Sequence, residues 1–231
     1  HRLGDFPVKQ AFQTFGKRLM VQKDTQYILI SSSVRLSKDI LAQKLALHFG
    51  HFEKIDLGPF DFAASDRFLQ RHLEPAVIDA PTRRFLLALT DGHPFYLNVL
   101  AQRLREETER QLAGQVTRSM VFAVFKKMLF DADGILNQYF VKRLMRWTDV
   151  RSTGSYRQML LELAGGTNRV KDLAVKIGRS QAECSRQLAF LTEDELIQKN
   201  GSLYSFPDQL FRFWVTAVYR HRDMSLLVDA P

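Results

Sequence analysis

The sequence predicts a mostly α-helical chain that opens with a short α/β segment and closes with three helices and a β-hairpin. Three observations carry that reading. An apolar tetrapeptide, "YILI", ends abruptly in three serines near the start; five apolar-periodic stretches follow one another through the middle; and an Asn-Gly dipeptide sits between two short strand-like runs near the end. With 45% hydrophobic residues in 231, the chain has enough apolar material for a real core, and disorder is not expected.

Pro7 to Lys23 reads as an amphipathic helix, because Phe12, Phe15, Leu19 and Met20 recur at three- and four-residue spacing behind a proline suited to a first turn. Tyr27 to Ile30 reads as a buried strand with a polar end. A helix from about Ser37 to Phe49 and a second short strand over "FEKIDL" complete a strand-helix-strand unit of the kind that makes a parallel crossover. After Leu57 the pattern turns helical: Asp61 to Leu73, Pro81 to Thr90, Pro94 to Arg110, Val116 to Phe130 and Ile135 to Trp147.

"SYRQMLLELAGG", "RVKDLAVKIG" and "SQAECSRQLAFLTEDE" then give three helices stopped by glycines or an acidic cluster. Ser180 and Glu183 form a capping box on the third. "LIQKNGSLYSF" places Asn200-Gly201 where a tight hairpin needs two positive φ angles. Three helices and a hairpin describe a winged helix-turn-helix. Phe211, Trp214, Val215 and Val218 recur at helical spacing and read as core that docks the last helix onto it. The boundaries fall near Pro59 and in "TDVRSTGS", dividing the chain into 1–59, 60–153 and 154–231.

The single cysteine, Cys184, excludes an internal disulfide framework, and no Cys/His spacing suits zinc. No apolar run reaches the roughly 20 residues that span a bilayer. With no secretory leader pattern at the start, these features read as a cytoplasmic protein. The chain opens on His1, as expected of a piece of something longer. Its net charge of +8 is spread: Lys/Arg against Asp/Glu is 13 to 10 over residues 1–99, 10 to 6 over 100–154, 7 to 6 over 155–206 and 3 to 3 over 207–231. No paired catalytic carboxylates, nucleophile-base set or metal spacing emerges, so catalytic residues are expected to lie outside this sequence.

One corner stands out. In "LTDGHPFYLNVL" a helix is ended by Gly92 and restarted by Pro94, which makes a rigid turn whatever its use. With "YILISSS", "HFGHFEKIDLGPFDFAASDRFL", "DGHPFYLNVL" and "SRQLAFLTEDELIQKNGSLYSFPDQLFRFWV" in that order, essentially the whole chain resembles STAND and AAA+-like P-loop ATPases of the archaeal/bacterial type. The resemblance implies an α/β partial P-loop core, then an α-helical lid, then the winged helix. It implies ATP or ADP with magnesium as ligand, and a nucleotide-dependent switch as function.

It further implies that the Gly92/Pro94 corner lies against the adenine, that His93 contacts the base or ribose or else is a plain lid-surface histidine, and that Ser31 and Ser32 sense the γ-phosphate. Serines also end buried strands simply to satisfy backbone groups, and many relatives carry glycine where Ser31 stands. His51 stands where family members often carry an arginine able to reach a neighbouring nucleotide, which leaves Arg35 as the substitute. Neither a G-x-x-x-x-G-K-[ST] loop nor an acidic magnesium-binding strand occurs here; "HRLGDF" resembles the segment just behind that strand. In the winged helix, Gln181, Ser185, Arg186 and Gln187 would face a DNA groove, with Lys199 and Asn200 reaching phosphate. The alternatives are a packing clasp or a surface for a protein partner or a second copy of the chain, and a DNA-binding regulator with an accessory helical domain is the alternative reading of the whole.

Overall fold

The computed structural model describes residues 11–22, 24–31, 37, 40–41, 53, 55–148 and 153–221. The chain is mostly helical. Helix α1 (Ala11–Val21) stands first; then come α2 (Phe62–Leu73), β1 (Val77–Ile78), α3 (Ala80–Thr90), α4 (Pro94–Arg110), β2 (Gln115–Val116), α5 (Arg118–Phe130) and α6 (Ile135–Thr148). The rest is α7 (Thr153–Ala164), α8 (Val170–Ile177), α9 (Gln181–Glu193), β3 (Gln198–Asn200), β4 (Leu203–Ser205), α10 (Gln209–Ala217) and a 3₁₀ turn at Tyr219–His221. No described helix is long and apolar enough to cross a membrane.

Several helices begin where a short polar side chain accepts an otherwise unpaired backbone N–H, whereas His93 and Arg169 stand at helix starts without a side-chain cap bond. Asp61 accepts from Ala64 N (2.6 Å), Asp79 from Thr82 N (2.7 Å), Ser180 from Glu183 N (3.2 Å) and Asp208 from Phe211 N (2.9 Å). At α9 the Ser180 half of the expected capping box is present. The Glu183 carboxylate pairs instead with Arg179 at 3.2 Å. Thr117 caps α5, so that helix starts at Arg118, two residues later than the sequence pattern suggests. Val116 is a strand residue: β2 pairs in parallel with β1, Ile78 opposite Val116.

A core of wholly buried side chains runs through these helices, from Leu69 and Leu73 on α2, through Leu97, Leu100 and Leu104 on α4 and Phe140 and Leu144 on α6, to Leu188, Leu191, Phe211 and Trp214. The hairpin β3–β4 forms, with Asn200 paired to Leu203 and Gly201-Ser202 as its loop; Gly201 takes φ +62° while Asn200 stays in the strand, so the turn lies one residue later than the Asn200-Gly201 pair expected to take two positive φ angles. The three helices and hairpin of residues 153–205 otherwise follow the order the sequence sets.

Among the described residues neither strand expected near the start is seen, and the "FEKIDL" run lies partly outside them. Residues 25–31 carry no strand pairing, and Ile28, Leu29 and Ile30 are exposed, Ile30 to 90%. Residues 55–60 likewise belong to no strand, with Leu57 92% exposed. A strand acquires backbone hydrogen bonds only from a neighbouring strand, and among the described residues neither run is paired in a sheet. The helix expected from Ser37 lies mostly outside the described residues.

Candidate functional site

The corner between α3 and α4 is built by two consecutive left-handed residues. Asp91, the C-cap of α3, has φ +47°, and Gly92 has φ +67°. A Cβ at Gly92 would lie 2.2 Å from the Phe60 carbonyl oxygen and 3.3 Å from Ser65 Oγ, so only glycine fits. The approach is a real contact: Phe60 N donates to Gly92 O at 2.9 Å. The chain entering α2 is therefore laid directly on the corner. Asp91 shares the reversal that the sequence assigns to Gly92 alone, because the close approach of Phe60 leaves the glycine a second task.

Pro94 occupies the first turn of α4, where its missing N–H costs nothing. The His93 N–H donates to Thr90 O at 2.9 Å, and the His93 carbonyl accepts from Leu97 N at 3.0 Å, so the residue bridges both helices. Its ring stacks on Tyr96, with centroids 3.9 Å apart and planes at 16°. Nδ1 is buried without a hydrogen-bond partner, as is Ser65 Oγ. Burial lowers the His93 pKa most strongly; the Asp208 charge opposes it and Arg143 adds a weaker push in the same direction as burial, so the ring is held toward its neutral form.

Behind His93 lies a polar node. The Tyr96 hydroxyl donates to Asp208 Oδ2 at 2.6 Å, and Arg143 donates to the same oxygen at 2.9 Å and to the Glu195 carbonyl at 3.1 Å. The Arg143 guanidinium sits 4.8 Å above the Phe211 ring. Burial and the Asp208 charge push the Tyr96 phenol far up, so it stays a donor. Sequence reasoning missed this node and Phe60. An aspartate behind a proline is a local signal for a helix cap at Asp208, but the bond to Tyr96 spans 112 residues and leaves no local trace.

Of the remaining candidates, Ser31 is exposed and outside any strand, while Ser32, Arg35 and His51 lie outside the described residues. On α9 the structure brings Gln181, Ser185 and Arg186 to the surface, with Lys199 and Asn200 exposed on the hairpin. Lys199 reaches over the Tyr204 ring at 5.7 Å. Gln187 is a correction. It is buried and donates to Ser155 Oγ at 2.7 Å, because its position one turn before Leu191 turns it toward α7 and away from solvent. Two nearby cations are already paired, Lys176 with Glu162 (2.9 Å) and Arg179 with Glu183 (3.2 Å). Phe190 and Val175 are exposed on the same unit.

Among the described residues no group of three or more His, Cys, Asp or Glu side chains could hold a metal ion.

No family model matches the chain, and a search of the curated proteins returns no match. Among solved structures, the fold is similar to that of a Walker-type ATPase of Pyrococcus abyssi, with a TM-score of 0.55 and 19% sequence identity over 80% of this chain and 51% of that one. The chain thus spans about half the length of that protein, and at such identity the likeness is one of fold.

Proposed function

We propose that this chain is the sensor, lid and winged-helix portion of a P-loop ATPase of the STAND/AAA+ kind, acting as a nucleotide-dependent switch. One observation carries the reading: a Gly-x-Pro corner locked against Phe60 in a chain whose fold matches half of a Walker-type ATPase. In this reading residues 1–59 belong to the ATPase core, 60–153 form the lid and 154–231 the winged helix. The half-buried Pro94 ring lies against the adenine, with Gly92 fixing the corner behind it, where a flat apolar face suits a base and a rigid corner adds little ordering cost. Ser31, with Ser32 and Arg35, would reach the γ-phosphate. His93 acts behind the corner through Tyr96, since its Nδ1 is turned inward. ATP with magnesium is the implied ligand, the ion neutralising phosphate charge; its ligands and the P-loop lysine are not in this sequence, so the residues here bind and report and do not hydrolyse.

The test is calorimetry of ATP and ADP binding to the whole protein. Pro94→Ala should weaken both by about tenfold, the equivalent of one lost ring contact of ~1.4 kcal/mol, with the fold still cooperative. Unchanged affinity would leave the corner a turn between helices.

The exposed face of α9 and the hairpin fits a protein partner, or a second copy of the chain, better than DNA. Paired Lys176 and Arg179, inward Gln187 and exposed Phe190 are the observations that favour it. A duplex-binding salt series separates the two, because DNA contact loses affinity with a log-log slope of roughly −0.9 per phosphate neutralised. A shallow slope, unaffected by Arg186→Ala with Lys199→Ala, is expected; steep binding abolished by that double change would make DNA the partner.

A further inference from the structure

We propose that Asp208 is a positioning residue that joins the Gly92–Pro94 corner to helix α10, so that a displacement of the corner is felt at the C-terminal helix. The inference draws its biological use from the nucleotide reading of the corner, but its geometry stands independently. One carboxylate serves donors from three helices: Oδ1 takes the Phe211 N–H at the start of α10, and Oδ2 takes the Tyr96 hydroxyl of α4 and the Arg143 guanidinium of α6. From the corner to α10 the path is two side chains long, His93 stacked on Tyr96 and Tyr96 bonded to Asp208. Tyr96 is 2% exposed and packed edge-on against Phe140 and Tyr139, so it has no room to turn without carrying its hydroxyl off the carboxylate.

A simple structural clamp is the competing account, and the structure separates the two. Helix α10 is anchored elsewhere: Trp214 Nε1 donates to Asn137 Oδ1 at 2.9 Å, both residues wholly buried, and Phe211 and Val215 are in the core. Cutting the Asp208 bonds therefore leaves α10 docked. A clamp lost would loosen the helix; a joint lost leaves it in place and deaf to the corner.

Hydrogen exchange on the whole protein distinguishes these. Without nucleotide, Pro94→Ala disturbs the corner while leaving Tyr96, Asp208 and Arg143 intact. It should raise exchange in the first turns of both α4 and α10, by about fivefold, the factor expected for one weakened hydrogen bond. With Tyr96→Phe, which keeps the ring and its packing, the α4 response should remain and the α10 response vanish. Asp208→Asn, which retains a capping oxygen for Phe211 N, serves as the second variant and should behave alike. An α10 that ignores Pro94→Ala in the otherwise unaltered protein, or that responds equally with and without Tyr96→Phe, overturns the joint. In a second arm, saturating ADP with magnesium should protect both first turns, and only that of α4 in Tyr96→Phe. If ADP leaves the corner unprotected in the unaltered protein, the nucleotide reading fails while the joint is still decided by the ligand-free arm.

Discussion

Residues 27–30 and helix α9 are both apolar enough to be buried, yet only the helix is. Cys184, Leu188 and Leu191 of α9 are wholly buried, while Ile28, Leu29 and Ile30 face solvent. A helix closes its hydrogen bonds within its own span and asks the rest of the molecule only for a face to cover its stripe. A strand depends on a neighbour for every backbone bond as well as for burial, so the same hydrophobicity without a pairing partner yields an extended, exposed run. The described helices from α2 onward answer the first requirement, and residues 25–31 have no strand partner among the described residues.

The largest effect that would sharpen this contrast lies at the corner. Gly92→Ala must strain φ and push backbone from backbone at Phe60, so urea unfolding should show a loss of about 3 kcal/mol. Gly201→Ala has a positive φ but open space around it, and should cost only about 1 kcal/mol. Equal losses would show that Phe60 yields and that the corner is not locked.

Next comes the buried bond that holds α10. Asn137→Leu removes the acceptor of the Trp214 indole N–H and should lower stability by about 2 kcal/mol, measured as a shifted urea midpoint at constant slope. A neutral result would mean that packing alone docks this helix. At the start of α9, Ser180→Ala should cost about 1 kcal/mol through the lost cap.

The His93 pKa lies below its unfolded value of about 6.5, so the unfolded chain takes up the proton first. The stability this contributes is present above about pH 6.5 and is lost as pH falls from there toward the folded pKa. His93→Phe, which keeps a ring on Tyr96, should flatten the change in urea midpoint between about pH 7.5 and 5.5. An unaltered pH dependence would mean that the ring is solvated in both states. The smallest effect belongs to the first region: Ile30→Ser should change stability by less than about 0.5 kcal/mol. A loss as large as that of Ser180→Ala would break the comparison, showing that residues 27–30 are packed after all.

Most helices between Asp61 and Ala217 were legible because their signals are local: an Asp, Ser or Thr cap, an apolar stripe, a glycine stop. The hairpin was legible through Asn200-Gly201. The α5 boundary was read two residues early because Val116 continues the apolar pattern of the helix, whereas its pairing with Ile78 lies across two intervening helices. Of the candidate site, the turn at Gly92 and Pro94 could be read, and Gln187 was misplaced because its partner Ser155 belongs to another helix.

By itself, then, the sequence determined the mostly helical class, the order of helices from α2 onward, the hairpin and the rigid corner, since each rests on interactions within a few residues of chain; the pairing of β1 with β2 was not among them. Only the tertiary structure decided that Phe60 seals Gly92, that His93 turns inward onto Tyr96, that Asp208 gathers Tyr96, Arg143 and Phe211, and that the early apolar runs stay exposed. Those outcomes depend on which distant side chain or strand arrives alongside, and no local propensity encodes an arrival from 112 residues away.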